Sequence, residues 1–159
     1  MYKFVLTLHI LSVVFGLGTV SLNGVYAAKA KQLGGPGQGA VMRVNFDVTM
    51  LAEKIIYTVP IWGILLVVIG HDSHALSMGQ TWLWLSLLLY VVAIGISHAV
   101  MIPGAKTMQA LGQKFASGNG TPEDGAVAAA TEKRLAAGGM TLDLLLVVII
   151  VLMVTQPGH

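Results

Sequence analysis

The chain alternates long apolar stretches with polar connections, and four of the apolar stretches are close to membrane-spanning length. These four stretches cover residues 2–26, 50–70, 82–102 and 140–155. An α-helix rises about 1.5 Å per residue, so about 20 apolar residues cross the ~30 Å hydrocarbon core of a bilayer. The pattern predicts an all-α membrane protein, a bundle of four transmembrane helices that forms one membrane domain over residues 1–159.

The first apolar stretch carries its small and polar residues on one narrow stripe. At helical steps of three and four residues, the stripe consists of His9, Ser12, Gly16, Thr19 and Asn23. Lipid accommodates wide apolar faces, whereas small and polar side chains are typical of contacts between membrane helices. We therefore predict that the stripe faces the bundle interior or a subunit interface, with Gly16 at the closest approach of two helices.

The connection before the last apolar stretch predicts a helical extension on the cytoplasmic side of the membrane. Thr121 suits the N-cap position and Pro122 the first helical position. An alanine-rich helix is expected from there to the last stretch, with a bend allowed at Gly138 and Gly139. The glycine-rich residues 34–39, in the first connection, are interpreted as a flexible turn.

Composition supports a membrane protein and argues against several classes of function. The chain is 55% hydrophobic and only 10% charged, whereas a soluble domain carries about 25% charged residues. It contains no cysteine, which excludes disulfides and thiolate-bound metals. No basic run with interleaved aromatic residues indicates a nucleic-acid partner. No catalytic triad, dinucleotide fingerprint or metalloprotease motif is present, which favours a non-enzymatic role.

The basic residues predict the orientation in the membrane. Eight of the nine lie in or beside the first and third connections, namely Lys29, Lys31, Arg43, Lys54, Lys106, Lys114, Lys133 and Arg134. The opposite side has only Lys3. Basic residues concentrate on the cytoplasmic side of membrane proteins. We therefore predict a multi-pass protein of the bacterial inner membrane with both termini outside the cytoplasm.

Short motifs at both ends of the chain resemble a known family. They are LHI at residues 8–10 with FGLG at residues 15–18, and LMVTQPG at residues 152–158. In these motifs and in the order and spacing of its spans, the chain resembles the bacterial predicted integral membrane proteins of domain of unknown function 2269. More distantly, it resembles the copper-resistance D-type proteins and the HemJ-type protoporphyrinogen oxidases. Those are small helical bundles with a histidine in the first span, associated with haem or copper, and His9 corresponds to that histidine.

His9 is the titratable residue of the stripe and a candidate ligand for haem b. A neutral imidazole inside a helical bundle is a common axial ligand of haem iron. The alternative is a histidine that is hydrogen-bonded to a neighbouring helix. His98 is predicted at the opposite end of the bundle, with a depth that differs by roughly 15 Å. A second axial ligand would therefore be His71 or His74, or the sixth position would stay open.

A group of ionisable residues is predicted near the cytoplasmic membrane boundary. Glu53, His98 and Asp143 each lie about one turn from the end of an apolar stretch. Ionisable groups at membrane depth usually face the bundle interior and pair with one another. The group is either a proton-entry or ion site or a set of solvated interfacial residues with Lys54 reaching the headgroups. The sequence slightly favours the second interpretation.

A second set of candidate ligands lies in the short loop predicted outside the cytoplasm. The imidazoles of His71 and His74 and the thioether of Met78 are ligand types that suit copper. The alternative is a polar loop without a metal.

Three functions remain open at this point. The favoured one is a non-catalytic accessory or scaffold subunit of a larger membrane assembly of the redox or respiratory type. Such a subunit would contact the lipid bilayer and either other membrane subunits or further copies of itself. The first alternative is a haem b-binding membrane redox protein that uses His9. The second is a protein that handles copper or a small solute.

Overall fold

Four long helices dominate the computed structural model, which describes residues 1–71, 76–77 and 79–157, apart from the side chain of Pro36. Each of the four is long and apolar enough to cross a membrane. We call them the first to fourth spans, and they cover Tyr2–Leu33, Gly37–Gly70, Thr81–Ala116 and Pro122–Thr155. The described part of the chain contains no β-strand, and the predicted all-α class with four spans is confirmed.

Three of the spans depart from regular α-helix. The first span consists of α-helix Tyr2–Ser12, π-helix Val13–Leu17, α-helix Gly18–Ser21 and α-helix Asn23–Leu33. The second lies within α-helices Gly35–Ile56 and Val59–Gly70. The third consists of α-helix Thr81–Ile96, π-helix Ser97–Met101 and α-helix Ile102–Ala116. The fourth is the single α-helix Pro122–Thr155.

The first connection is much shorter than the sequence indicates. Helix continues to Leu33 and begins again at Gly35, so the interpretation of residues 34–39 as a flexible turn is wrong beyond the first residues. Gly34 and Gly35 have φ angles of +61° and +49°, a conformation that glycine adopts without steric cost. Hydropathy marks only the apolar part of a helix, whereas Ala, Lys and Gln continue the helix into the polar region.

The fourth span begins as predicted and then runs without a break. The Thr121 side chain accepts a hydrogen bond from the Asp124 N–H, and the Asp124 carboxylate accepts one from the Thr121 N–H. This capping box satisfies two backbone donors, and it confirms Thr121 as the N-cap. The helix passes Gly138 without ending. A Cβ atom at Gly138 would lie 2.9 Å from the Met101 sulfur, so this glycine lets the third and fourth spans approach closely.

The spans pack mainly as two antiparallel pairs, the first with the second and the third with the fourth. The pairs meet at the end of the bundle that carries Tyr2 and Met153, which we call the terminal end. There a buried cluster of Val67, Leu76 and Trp82 packs against Tyr2, Leu83 and Met153. All four spans contribute to this cluster, which closes the terminal end with apolar side chains.

Candidate functional site

The second span is broken in its middle, and this break organises the candidate site. Its first helix ends at Ile56, Tyr57 and Thr58 form a turn, and the next helix begins at Val59. Pro60 explains the break, because it has no N–H to donate to the Ile56 carbonyl four residues earlier. An unsatisfied carbonyl among apolar helices costs several kcal/mol, so the break requires hydrogen-bond donors from elsewhere.

Side chains of the neighbouring spans donate to two carbonyls beside the break, and one of these is the Ile56 carbonyl that Pro60 leaves open. The Tyr90 hydroxyl, from the third span, donates to the Ile56 carbonyl at 3.1 Å. The His9 Nδ1 atom, from the first span, is 3.0 Å from the Val59 carbonyl oxygen. Because a carbonyl only accepts, Nδ1 carries the ring proton in this contact.

Hydroxyl groups complete the pairing at the turn. The Thr58 hydroxyl donates to the Ile55 carbonyl at 2.7 Å and lies 3.1 Å from the Ser12 hydroxyl. Ser12 belongs to the polar stripe of the first span and is buried. The turn is therefore held to the first span by a side chain–side chain contact in addition to the His9 bond.

The π-helical turns of the first and third spans lie against the segment that includes the break. A π-helical turn adds one residue to a helix, redirects the side chains and is frequent at functional sites. Gly16 lies in the first π-helix, and a Cβ atom there would be 2.8 Å from Ile56 Cγ1 and 3.2 Å from the Ile56 nitrogen. Ser97 and His98 begin the second π-helix. The first and third spans thus each depart from regular α-helix where they contact the broken part of the second span.

Glu53 is the buried acid of this site. It lies one turn before the break, and only 7% of its surface is exposed. The Ser97 hydroxyl donates to Glu53 Oε1 at 3.3 Å. His98 Nδ1 lies 3.8 Å from the same oxygen. The structure therefore brings together two of the three ionisable residues singled out in the sequence.

Both ring nitrogens of His98 have hydrogen-bond partners within the chain. Its Nδ1 is 3.0 Å from the Ile94 carbonyl and must donate to it, and its Nε2 is 3.1 Å from the Tyr57 hydroxyl oxygen. With the ring proton on Nδ1, Nε2 accepts a hydrogen bond from the Tyr57 hydroxyl. Tyr57 and His98 therefore form a hydrogen-bonded pair between the second and third spans.

Asp143 and Lys54 lie apart from Glu53 and His98. Asp143 is exposed on the fourth span, and Lys54 is exposed next to Glu53 in the chain. Within the described residues, neither side chain has a hydrogen bond or ion pair to Glu53 or His98.

The other stripe residues lie along the first span with different partners. Asn23 Oδ1 accepts a hydrogen bond from the Thr49 hydroxyl of the second span at 3.1 Å. The Thr19 hydroxyl instead donates to the Phe15 carbonyl of its own helix at 2.6 Å. Together with the contacts above, four of the five stripe residues contact the second span, and they are His9, Ser12, Gly16 and Asn23.

Two of the histidines proposed as metal ligands, His9 and His71, lie apart from each other. His9 packs against Gly63, where a Cβ atom would lie 3.3 Å from His9 Cε1. His71 follows Gly63 by eight residues, which is about 12 Å along a helix, and its Nδ1 is 3.0 Å from the Leu76 carbonyl. His74 and Met78 lie outside the described residues. Among the residues that are described, no group of three or more His, Asp or Glu could hold a metal ion.

The sequence analysis did not identify four residues of the site, and they are Tyr57, Thr58, Tyr90 and Ser97. A usable signal was present in Pro60, because a proline inside an apolar span leaves a carbonyl that needs a donor from a neighbouring helix. Tyr90 and Ser97 lie seven residues apart, so they fall on one face of the third span. Polar side chains on that face were therefore the candidates to donate a hydrogen bond to the carbonyl that Pro60 leaves open.

Comparison with known families agrees with the fold. A family model described as "Predicted integral membrane protein (DUF2269)" matches residues 3–157. No curated protein and no solved structure matches the chain. The more distant resemblance to the copper-resistance D-type and HemJ-type proteins stays a prediction.

Proposed function

The chain belongs to the DUF2269 family of predicted integral membrane proteins, and we propose that it is a non-catalytic accessory or scaffold subunit of a larger membrane assembly. Such an assembly would be of the redox or respiratory type. The observation that carries the proposal is a polar pair, Tyr57 and His98, on the outside of the bundle.

The pair would be unfavourable in contact with lipid alone. The side chain of His98 is 54% exposed, and Tyr57 is 40% exposed. The first charged residue that follows on the third span is Lys106, eight residues or about 12 Å farther along the helix. The polar atoms of both side chains are hydrogen-bonded within the chain, but their exposed polar surface still loses its hydration in contact with hydrocarbon, which is unfavourable. A membrane helix of another subunit, or of a second copy, removes this cost with a polar or small side chain.

The orientation belongs to the same proposal. We place the chain in the bacterial inner membrane with both termini outside the cytoplasm. The support is the distribution of basic residues, with eight in or beside the first and third connections and only Lys3 at the other end. Both of those connections lie at the end of the bundle opposite the terminal end.

The mass of the gently solubilised protein tests the subunit proposal. We expect native mass spectrometry to find the chain in an assembly well above its own 16.7 kDa. His98→Leu is expected to reduce the assembled fraction at least fivefold, because it replaces an exposed polar ring, which favours a polar neighbour over lipid, with an apolar side chain that lipid can surround. Val91→Leu, at an exposed apolar position on the same span, is the matched control and should leave the assembly intact. A monomeric wild type, or an unchanged His98→Leu assembly, would contradict the proposal.

A second candidate function is a haem b-binding redox protein, and the state of His9 favours it. The bond from Nδ1 to the Val59 carbonyl leaves Nε2 with a free lone pair. Ring nitrogens of metal-ligating histidines are held in this way, because the outer hydrogen bond fixes the tautomer. When bound, haem would supply one-electron chemistry, and His9 would hold the iron. His98 has partners at both ring nitrogens, so it is not a second ligand.

Absorption spectroscopy of the same preparation tests the haem candidate. A Soret band is expected in wild-type protein purified after growth with haem precursors. His9→Ala should abolish the band, and His98→Ala should leave it unchanged, because His98 contacts other groups. Wild-type protein without a Soret band, including after haem is added, would remove this candidate and leave the subunit proposal untouched.

The copper or small-solute alternative stays a prediction. It depends on His71, His74 and Met78, and the last two lie outside the described residues.

A further inference from the structure

One face of the third span carries two buried polar atoms for which the described part of the chain provides no hydrogen-bond partner. Trp82, Ser86 and Tyr90 follow one another at steps of four residues, so they lie on one side of the helix. Tyr90 bonds to the broken second span. Trp82 and Ser86 are only 4% and 1% exposed, and within the described residues neither Trp82 Nε1 nor Ser86 Oγ has a hydrogen-bond partner.

Neither bulk water nor lipid headgroups can satisfy these atoms. The Trp82 side chain belongs to the apolar cluster that closes the terminal end of the bundle. Ser86 lies one turn further into the bundle, and its side chain is the largest that is fully buried in the described part of the chain. Buried polar atoms in native proteins have a hydrogen-bond partner in the large majority of cases, either in the protein or in ordered water.

We propose that an ordered water molecule binds between the Trp82 indole N–H and the Ser86 hydroxyl. Ser86 follows Trp82 by one helical turn, and a helical side chain leans back towards the preceding turn, so the Ser86 hydroxyl lies on the Trp82 side of its own turn, where one water can contact both groups. The indole N–H is a donor only, so the water oxygen accepts from it. The Ser86 hydroxyl accepts from the water or donates to it, and buried waters typically make two to four such bonds.

This water site continues a polar face that leads towards the Glu53 pair. Tyr90 lies one turn beyond Ser86, and its hydroxyl contacts the carbonyl of Ile56. Ser97 lies two turns beyond Tyr90 and donates to Glu53. The bound water therefore extends the polar groups of the third span from the Glu53–His98 pair to the terminal-end cluster. The site is independent of the subunit and haem proposals.

Solid-state NMR of the full chain in lipid bilayers tests the proposal. With ¹⁵N-labelled tryptophan, the Trp82 indole N–H is expected to receive magnetisation from water although the ring is buried. Trp82→Phe assigns the signal, and the exposed Trp84 provides the positive control. Ser86→Ala should reduce the transfer to the Trp82 indole at least threefold, whereas Ser86→Thr should retain it because it keeps the hydroxyl.

Control variants and the signals of the other two tryptophans separate loss of the water from loss of the fold. Ser21→Ala, at a half-buried serine of the first span, should leave the Trp82 signal unchanged. Signals of Trp62 and Trp84 at their wild-type positions show that the Ser86 variants are folded. Absence of water transfer to the wild-type Trp82 indole would overturn the proposal without any variant. Undiminished transfer in a folded Ser86→Ala protein would overturn it as well.

Discussion

Gly16→Ala is expected to destabilise the bundle by about 1–3 kcal/mol, and Gly16→Leu is expected to prevent the first two spans from packing. An added Cβ atom would lie 2.8 Å from Ile56 Cγ1 and 3.2 Å from the Ile56 backbone nitrogen. The side-chain atom can move, but the nitrogen belongs to the last turn before the break, which is held by its own hydrogen bonds. The free energy of unfolding in mixed micelles measures the effect.

Gly18→Ala is the matched control for this change. Gly18 lies in the same span, and a Cβ atom there would meet nothing within 4 Å. Alanine is a better helix former than glycine by about 0.8–1.0 kcal/mol, so this variant should be neutral or slightly more stable. Leu11→Ala, at an exposed position off the stripe, should also have a small effect. Equal changes at Gly16 and Gly18 would show that no close helix contact exists at Gly16.

The sequence predicted the number and type of spans better than their lengths. Hydropathy identifies the residues that lipid can surround, and it located all four apolar segments. It could not show that helix extends to Leu33 or to Ala116. Those extensions consist of residues with good helix propensity but mixed polarity, which hydropathy does not separate from a loop.

The sequence also predicted only part of the candidate site, because it shows which residues share a helix face but not which neighbouring helix that face contacts. Helical periodicity put His9, Ser12 and Gly16 on one face, but it could not say which span that face contacts. Glu53 and His98 drew attention because charge is rare in apolar stretches. Tyrosine and serine are common in apolar stretches, so nothing in the sequence singled out Tyr90 and Ser97. Their roles depend on the rotation of the third span, which a single sequence does not determine.

Asp143 shows the limit of reasoning from depth alone. Like Glu53 and His98, it is one turn from the end of an apolar stretch, but it is exposed on the fourth span. Depth along a helix and direction around it are separate quantities, and a cluster requires both to agree. The buried acid is therefore Glu53, whose neighbours Ser97 and His98 approach from the third span.

Tyr90→Phe is expected to destabilise the protein by about 1–3 kcal/mol, because it leaves the Ile56 carbonyl without a donor. The ring keeps its shape, so the change removes the hydrogen bond at 3.1 Å and little else. Tyr26→Phe, at an exposed tyrosine, is the matched control and should have almost no effect. Unfolding in mixed micelles again measures both changes.

A second substitution separates this hydrogen bond from other roles of Tyr90. Pro60 is the reason that the Ile56 carbonyl lacks a main-chain donor, and Pro60→Ala restores an N–H four residues after it. In the Pro60→Ala background, Tyr90→Phe should therefore cost less than half of what it costs in the wild type. The difference is the coupling energy of a double-mutant cycle, expected at about 0.5–2 kcal/mol. If Tyr90→Phe costs the same in both backgrounds, the Tyr90 hydroxyl does not serve the carbonyl that Pro60 leaves open.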